Sequence, residues 1–337
     1  MGEAMKAVVK ERRWFNGRRL DEGMENLRRV RAISLGPEAT SITRQHGSVI
    51  AVLSNAVYLE GVDGSILSIV DVRAADGPLT LRVDGLGRLL DKLAKGDVGV
   101  PFRGVGNTLR IDGKVDVDLR EARPWTPARV VTVVDGPGRE AALDELRAAL
   151  RSPTSKGEIG ALVASLPAQT GVEKSVPASG DALAGSYGIR LQRLVRAVLD
   201  RDAGAASDVL LGFLGLGPGL TPSGDDFVAG FLAVSAWTEA RGGWPARLAR
   251  ELRPKVESVA SKQTTRLSAR LLHHASKGVL YEPAMDLGAA LLAGESIKVR
   301  PATHRLFSIG HTSGTDLAAG LMVGAMSCAE PPTLEEP

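Results

Sequence analysis

The first third of the chain alternates β-branched and polar residues in short runs that are separated by glycine-containing turns. Alternation with a period of two is typical of half-buried strands. Asp112-Gly113 interrupts the last run and supplies the positive φ angles of a tight hairpin turn. A short helix is predicted at 84–96, and we expect a mostly antiparallel β barrel or sandwich. The runs lie at 48–61, 65–72, 79–85 and 108–120.

Beyond residue 128 the period changes to that of a helix. Residues 128–138 indicate one more strand, 139–152 an amphipathic helix, and 153–180 mostly loop. After Asp181 nearly every segment has helical periodicity, so the predicted fold class is α+β. The expected parts are a β-rich N-terminal domain (1–128), a connection of strand, helix and loop (129–180) and a helical domain (181–330). The predicted helices are 182–201, 206–214, 225–240, 245–252, 255–277, 283–293 and 315–328.

Composition and charge limit the classes of function. Hydrophobic residues make up 44% and charged residues 24% of the chain, and the net charge is +3, as in soluble globular proteins. Aromatic and basic residues are not interleaved, so no nucleic-acid partner is expected. Cys328 is the one cysteine, and the sequence has neither a signal-peptide pattern nor an apolar run of membrane length. We therefore predict a reduced, cytoplasmic protein with no membrane partner.

Two matching motifs in the helical part carry the candidate chemistry. The stretch TPSGDDFVAG at 221–230 and the stretch HTSGTDLAAG at 311–320 share five identical positions, each 90 residues apart. Either motif alone is also a capping box, in which serine and aspartate satisfy the free backbone groups of a helix start without any ligand. The constant offset predicts more than this, namely two helix N-termini that face one shared cleft.

Two adjacent carboxylates, Asp225 and Asp226, begin a helix that is otherwise uncharged. A buried charge without a partner costs several kcal/mol, whereas the helix dipole offsets only about 0.3–1 kcal/mol at exposed sites. We therefore expect these acids, together with Asp316, to hold a cation such as Mg²⁺ or the amide group of a ligand.

The glycine- and proline-rich loop before the first motif predicts an anion site, because helix N-termini and exposed amides favour negative charge. A third segment, placed within the predicted helix 255–277, adds hydroxyls beside a guanidinium group that suits phosphate or carboxylate. The candidate catalytic residues are His311, Arg266 and Asp226. The residues expected to bind substrate or anion are Gly217, Gly219, Thr221, Ser223, Gly224, Thr265, Thr312, Ser313, Gly314 and Thr315.

The blocks GLGPGLTPSGDDFVAG (215–230), QTTRLSARLL (263–272) and IGHTSGTDLAAGL (309–321) resemble the signature blocks of the AllH family. AllH is a subunit of oxamate carbamoyltransferase in the anaerobic allantoin pathway. The resemblance implies a role in moving a carbamoyl group between oxalurate, or a similar ureido acid, and phosphate within a heteromeric complex. The implied partners are other subunits and a small anionic metabolite, which is carbamoyl phosphate, phosphate or the ureido acid.

Two alternatives stay open. One is a Mg²⁺-dependent enzyme that acts on a phosphorylated metabolite or nucleotide, with Asp225, Asp226 and Asp316 as metal ligands. The other is a non-catalytic subunit in which the motifs form a binding or assembly surface. The sequence lacks the Ser-Thr-Arg-Thr-Arg phosphate loop of the ordinary carbamoyltransferases, which argues against an independent copy of that fold.

Overall fold

The structure, a computed structural model, describes residues 30–93, 97–130, 132–166 and 182–328. The chain divides into two compact units. The first unit contains the described residues up to Ala74 together with Leu79–Trp125. The second contains Ala75–Pro78 and the described residues from Thr126 onward.

Nine strands build the part of the first unit that the structure describes, and eight of them close into a barrel. They hydrogen-bond in the order β5-β4-β3-β2-β6-β7-β8-β1, and β1 returns to β5, while β9 adds to β1. Three of the pairs are parallel and the remaining pairs are antiparallel. The expectation of a mostly antiparallel barrel or sandwich is confirmed, and the barrel is the form that the chain adopts. The strands are β1 (Val30–Leu35), β2 (His46–Val52), β3 (Ala56–Gly61), β4 (Ile66–Asp71), β5 (Thr80–Asp84), β6 (Pro101–Val105), β7 (Thr108–Ile111), β8 (Val115–Asp118) and β9 (Arg123–Pro124).

Alternation of side chains explains the barrel interior. In β8, for example, Val115 and Val117 are buried and Asp116 is exposed, as a period of two requires. The predicted hairpin turn between β7 and β8 is confirmed, since Asp112 and Gly113 have φ angles of 51° and 64°. Two short helices accompany the strands, α1 (Pro37–Ile42) and α2 (Leu86–Leu90), and α2 is the helix predicted within 84–96.

Ten further helices build the second unit, within the part of it that the structure describes. Among all the described helices, none is both long and apolar enough to cross a membrane. The helices are α3 (Pro137–Leu150), α4 (Glu158–Ser165), α5 (Ala182–Leu199), α6 (Ala203–Leu211), α7 (Ser223–Thr238), α8 (Gly243–Gln263), α9 (Arg266–Ala275), α10 (Glu282–Ala293), α11 (Ser296–Phe307) and α12 (Ser313–Ser327), with a short 3₁₀ turn at Glu239–Arg241.

The strand predicted at 128–138 is not formed among the described residues of that stretch. The backbone N–H of Val134 donates instead to the carbonyl oxygen of Leu292 at 2.8 Å, so this apolar stretch pairs with the end of α10 rather than with a strand. Helix α4 lies where the sequence predicted loop. Residues 167–181 of the same predicted loop lie outside the described part of the chain.

Two helices differ from the prediction because prolines lie inside them. The predicted helices 245–252 and 255–277 were divided at Pro254, but α8 continues through this residue to Gln263. Helix α11 contains Pro301 and was not predicted at all. Proline lacks the N–H of an internal helical hydrogen bond and normally bends or ends a helix, and here the packing of the second unit keeps both helices continuous.

Helices α7 and α12 form the centre of the second unit. Nearly all of their residues are buried, including the acids of their first turns. Helix α4 packs against α12, and α8 and α9 pack against α7. The C-terminal end of α12 is held by two arginines, because Arg139 donates to the carbonyl oxygen of Ala325 and Arg201 to that of Ser327. The two motifs lie at the other, N-terminal ends of α7 and α12.

Candidate functional site

The loop between α6 and α7 turns on glycines. Gly215, Gly217 and Gly219 all have positive φ angles, which side chains other than glycine rarely adopt. Gly217 also lies against the first turn of α7, since a Cβ atom there would be 2.8 Å from the backbone nitrogen of Ser223. Gly219 is exposed, with open space around it. Two of the three glycines therefore shape the loop, and Gly219 leaves room beside it.

Gly224 and Gly314 have the same role in the two motifs. The N–H of Gly224 donates to the carbonyl oxygen of Leu216 at 2.9 Å, and that of Gly314 donates to the carbonyl oxygen of Ile309 at 3.1 Å. A Cβ atom on either glycine would overlap a backbone carbonyl group of the preceding segment. Each serine-glycine pair thus folds its helix start back onto the loop before it.

The two helix starts meet through hydroxyl groups. The Oγ1 atom of Thr221 lies 2.9 Å from Oγ of Ser313, and Oγ of Ser223 lies 3.5 Å from Oγ1 of Thr312. Each motif therefore contributes one partner to each pair, and all four side chains are partly exposed. The two helix N-termini that we predicted to face a shared cleft therefore lie beside each other.

Helices α7 and α12 run side by side in the same direction. Below the hydroxyl pairs, Gly230 packs against the backbone of Leu317, and Gly320 packs against the backbone of Phe227. The contacts are exchanged between positions 90 residues apart, so an approximate two-fold axis lies between the helices. Because the helices are parallel, the partial positive charges of their N-terminal ends add at the same place.

Neither serine caps its helix. Ser223 and Ser313 are the first helical residues after Pro222 and Thr312, and no side-chain capping hydrogen bond forms at either start. The capping-box alternative is therefore wrong for both motifs. The two hydroxyl groups are directed towards the opposite motif instead.

Two buried acids lie at this junction, and each is faced by the serine of the other motif. Burial raises the pKa of Asp316 to about 7, against the opposing effect of the Ser223 and Thr312 hydroxyls. Burial also raises the pKa of Asp226 well above its usual range, with Ser313 opposing the shift and the negative charge of Asp316 adding to it. Burial removes water from both carboxyl groups, and the chain does not replace all of the hydrogen bonds that water would make to them.

The hydrogen bonds of these acids are incomplete. Among the described residues, neither carboxyl oxygen of Asp316 has a hydrogen-bond partner. Oδ2 of Asp226 has none either. The hydroxyls of Ser223 and Thr312 are near enough to lower the pKa of Asp316, but they do not align as donors to it. Buried carboxylate oxygens are rarely left in this state, and such groups often mark a binding site.

Asp225 belongs to a different environment. Its Oδ1 accepts the N–H of Gly215 at 2.8 Å, and its Oδ2 accepts the hydroxyl of Thr264. Burial raises its pKa, and these two donors oppose the shift. Consecutive helical residues point about 100° apart, so Asp225 does not share the junction with Asp226. The partners that we expected a ligand amide or a cation to supply come from the chain itself.

The segment around Thr265 is a helix boundary rather than the helix interior that we predicted. Helix α8 ends at Gln263 and α9 begins at Arg266. The hydroxyl of Thr265 accepts the N–H of Ser268 at 3.1 Å and donates to the carbonyl oxygen of Leu220 at 2.6 Å. This boundary therefore holds the glycine loop in place, and Arg266 is exposed beside it.

The remaining predicted residues differ in their environment. His311 is exposed directly before the second helix start. Thr315 is buried, and its methyl group packs against Gly160 of α4, so it faces the core. Among the described residues, no group of three or more His, Cys, Asp or Glu side chains is arranged to hold a metal ion. Asp225, Asp226 and Asp316 thus do not form the metal cluster that we considered.

Three residues near the junction were not predicted. The hydroxyl of Tyr187 donates to the carbonyl oxygen of Leu216 at 3.1 Å, and burial raises the pKa of this residue to about 12. Gly157 lies so close to Asp316 that a Cβ atom would overlap its carboxyl group. Glu158, the first residue of α4, raises the pKa of Asp316 by its negative charge. These residues come from distant segments without a motif of their own.

A family model supports the resemblance. The model described as oxamate carbamoyltransferase subunit AllH matches residues 213–325. Residues 213–325, within the helical half of the chain, are therefore similar to this family. The match contains both motifs and the boundary at Thr265, as the signature blocks predicted, whereas the β barrel and Tyr187 lie outside it. No solved structure matches the chain.

Proposed function

We propose that this chain is a subunit of a carbamoyltransferase-type complex, and that the junction of α7 and α12 binds the substrate that carries the carbamoyl group. The proposed substrates are a ureido acid such as oxalurate, with phosphate, or carbamoyl phosphate in the opposite direction. The family description supports this assignment, because it names a carbamoyltransferase subunit and its match includes both halves of the junction. A subunit implies protein partners, and we place the complex in the cytoplasm.

One observation carries the proposal: two matched helix starts bring four hydroxyls and two buried acids to one place. A carbamoyl group has a carbonyl oxygen that accepts hydrogen bonds and an amino group that donates them. The hydroxyls of Ser223 and Ser313 are suitable donors to the oxygen, and the meeting helix N-termini favour negative charge that develops there during transfer. The acids are suitable acceptors for the amino group.

The phosphate end of the substrate needs a different environment from these acids. The exposed residues Gly219 and His311 precede the two helix starts in sequence. Arg266 is also exposed and follows Thr265, whose hydroxyl donates to the carbonyl oxygen of Leu220 in the glycine loop. Its guanidinium group is suited to bind phosphate through paired N–H groups. We propose these residues for the anionic end. The Mg²⁺-dependent alternative needs the acids as metal ligands, and no observation in the described residues favours that arrangement.

Calorimetric titration of the purified chain with oxalurate and with carbamoyl phosphate tests the proposal. We expect saturable binding of at least one of them, weakened roughly tenfold, about 1.4 kcal/mol, in Ser223→Ala and in Ser313→Ala. Ser258→Ala is the matched control, because Ser258 is exposed on α8 and its hydroxyl donates to the carbonyl oxygen of Lys255 in the same helix. Failure of the wild-type chain to bind either ligand, with or without Mg²⁺, would refute the proposal.

A further inference from the structure

Asp316 has an unusual position for a charged residue. Its side chain is fully buried, and neither carboxyl oxygen has a partner among the described residues. Asp225, only one position from the equivalent place on α7, receives both a backbone N–H and a hydroxyl. The chain is therefore able to satisfy a buried acid here, and it leaves Asp316 unsatisfied.

The surroundings of Asp316 restrict what it can bind. The groups that shift its pKa are the hydroxyls of Ser223 and Thr312 and the carboxylate of Glu158, and Asp226 and Tyr187 interact with its charge. All of these groups are negative or neutral. A phosphate group beside Asp316 would meet like charges in a region of low dielectric constant. An N–H donor would instead supply the hydrogen bonds that both oxygens lack.

Ser223 and Thr312 lie beside Asp316, since their hydroxyls oppose the rise of its pKa. Both residues are partly exposed, and their hydroxyls are 3.5 Å apart, longer than the roughly 2.5–3.0 Å of a normal hydrogen bond between hydroxyls. Rotation of these short side chains would break at most one weak bond, and it is the route by which we expect a ligand to reach the carboxyl group. A Cβ atom at Gly157 would overlap that group, so a small planar ligand suits the position better than a large one.

We propose that Asp316, assisted by Oδ2 of Asp226, accepts the N–H bonds of the terminal amino group of the carbamoyl substrate. Asp316 is then the residue by which the site distinguishes a carbamoyl group from an acyl group of the same shape. This inference rests on the proposed function and makes it more specific. The site excludes acyl phosphates because a methyl group would leave the buried carboxylates without donors.

Two pairs of ligands measure the contribution of the amino group to binding. Carbamoyl phosphate and acetyl phosphate differ only in NH₂ against CH₃, and so do oxalurate and N-acetyloxamate. Titration calorimetry of the wild-type chain is expected to show at least about tenfold tighter binding of the carbamoyl member of each pair. In Asp316→Ala that preference falls below about threefold. In Asp316→Asn, which keeps one acceptor oxygen, the preference is intermediate.

Ser223→Ala is the comparison variant, since loss of a donor to the carbonyl oxygen weakens both members of a pair equally and leaves their ratio unchanged. Equal binding of both members by the wild type overturns the inference, as does a preference that survives in Asp316→Ala. Circular dichroism melting of each variant confirms that it is folded.

Crystals soaked with urea and, separately, with acetone, which has the same shape but no N–H group, test the inference without the proposed function. Density for urea beside Asp316, with none for acetone, supports N–H recognition even if no carbamoyl substrate binds. If none of the paired ligands binds and urea does not occupy the site, both proposals fail. If the carbamoyl ligands bind without discrimination, the proposed function survives and only the role of Asp316 is lost.

Discussion

Gly230 of α7 and Gly320 of α12 hold equivalent positions on two parallel helices, and each lies against the backbone of the other helix. The contact is exchanged, because Gly230 meets Leu317 while Gly320 meets Phe227, the residue equivalent to Leu317. No side chain separates the two backbones at this level. The close approach brings the two first turns together, and with them the hydroxyl pairs and the buried acids.

Alanine at either glycine should therefore separate the helices. Gly230→Ala and Gly320→Ala place a methyl group on backbone atoms that cannot rotate away, and we expect each to lower the free energy of unfolding by about 1–3 kcal/mol or more. Gly185→Ala in α5 is the control, because open space surrounds Gly185, and alanine there should stabilise the helix by roughly 0.5–1 kcal/mol. Urea denaturation measures all three. Equal stability of the three variants would contradict the packing described.

Asp225 should behave as a structural residue. Asp225→Asn and Thr264→Val each remove one side of the hydrogen bond between these residues, and we expect a loss of about 1–3 kcal/mol in the free energy of unfolding. Thr264→Ser retains the hydroxyl and should remain close to the wild type. Chemical denaturation at pH 8 measures the differences. A stabilised Asp225→Asn would show instead that this acid is strained in the folded chain.

Asp316→Asn should have the opposite effect, and the effect should depend on pH. The folded chain holds this pKa at about 7, above the usual value near 4 in an unfolded chain. Below pH 4 both states are protonated and the acid has no effect on stability. Between pH 4 and 7 the folded chain alone keeps the proton, so wild-type stability falls as the pH rises.

Above pH 7 the cost of ionising buried Asp316 is fully present, on the order of 4 kcal/mol. Asp316→Asn lacks this cost. The difference in unfolding free energy between Asp316→Asn and the wild type should therefore be larger at pH 8 than at pH 5. Denaturation curves at both pH values, compared between the two proteins, cancel the effect of other titrating groups. A difference that does not change with pH would exclude an elevated pKa.

Thr265 should hold both α9 and the glycine loop. Thr265→Ala removes the N-terminal cap of α9, which is worth about 1 kcal/mol, and the bond to the carbonyl oxygen of Leu220, worth about 1 kcal/mol more. Thr265→Ser keeps both bonds and is the matched control. Thermal melting measures stability, and hydrogen exchange of the amides near Gly219 reports the loop. Unchanged exchange in Thr265→Ala would mean that the loop keeps its shape without this contact.

The sequence predicted six of the nine described strands because their signals are local, whereas β1, β6 and β9 lie outside the predicted runs. Alternating β-branched residues and the Asp112-Gly113 turn determine strands and a hairpin within a few residues. Helix boundaries were predicted less well. Pro254 was taken as a helix end although α8 passes through it, whereas the real break at Thr264 and Thr265 contains neither glycine nor proline.

The site was predicted in part. The motif repeat with its offset of 90 residues indicated that the two helix starts lie together, and they meet through the pairs Thr221–Ser313 and Ser223–Thr312. Adjacency in sequence was misleading for the acids, because Asp225 points away from Asp226 and bonds within the chain. Tyr187 and Gly157 reach the junction only through the packing of α5 and α4, and long-range packing of this kind leaves no local pattern.

A crystal structure of the chain with bound oxalurate tests the central claim most directly. The account predicts planar ligand density between the first turns of α7 and α12, with the terminal nitrogen roughly 2.7–3.2 Å from a carboxyl oxygen of Asp316. The hydroxyls of Ser223 and Thr312 should move apart to admit it. Ligand density at another place, with the hydroxyl pairs intact and Asp316 still buried beneath them, would contradict the account.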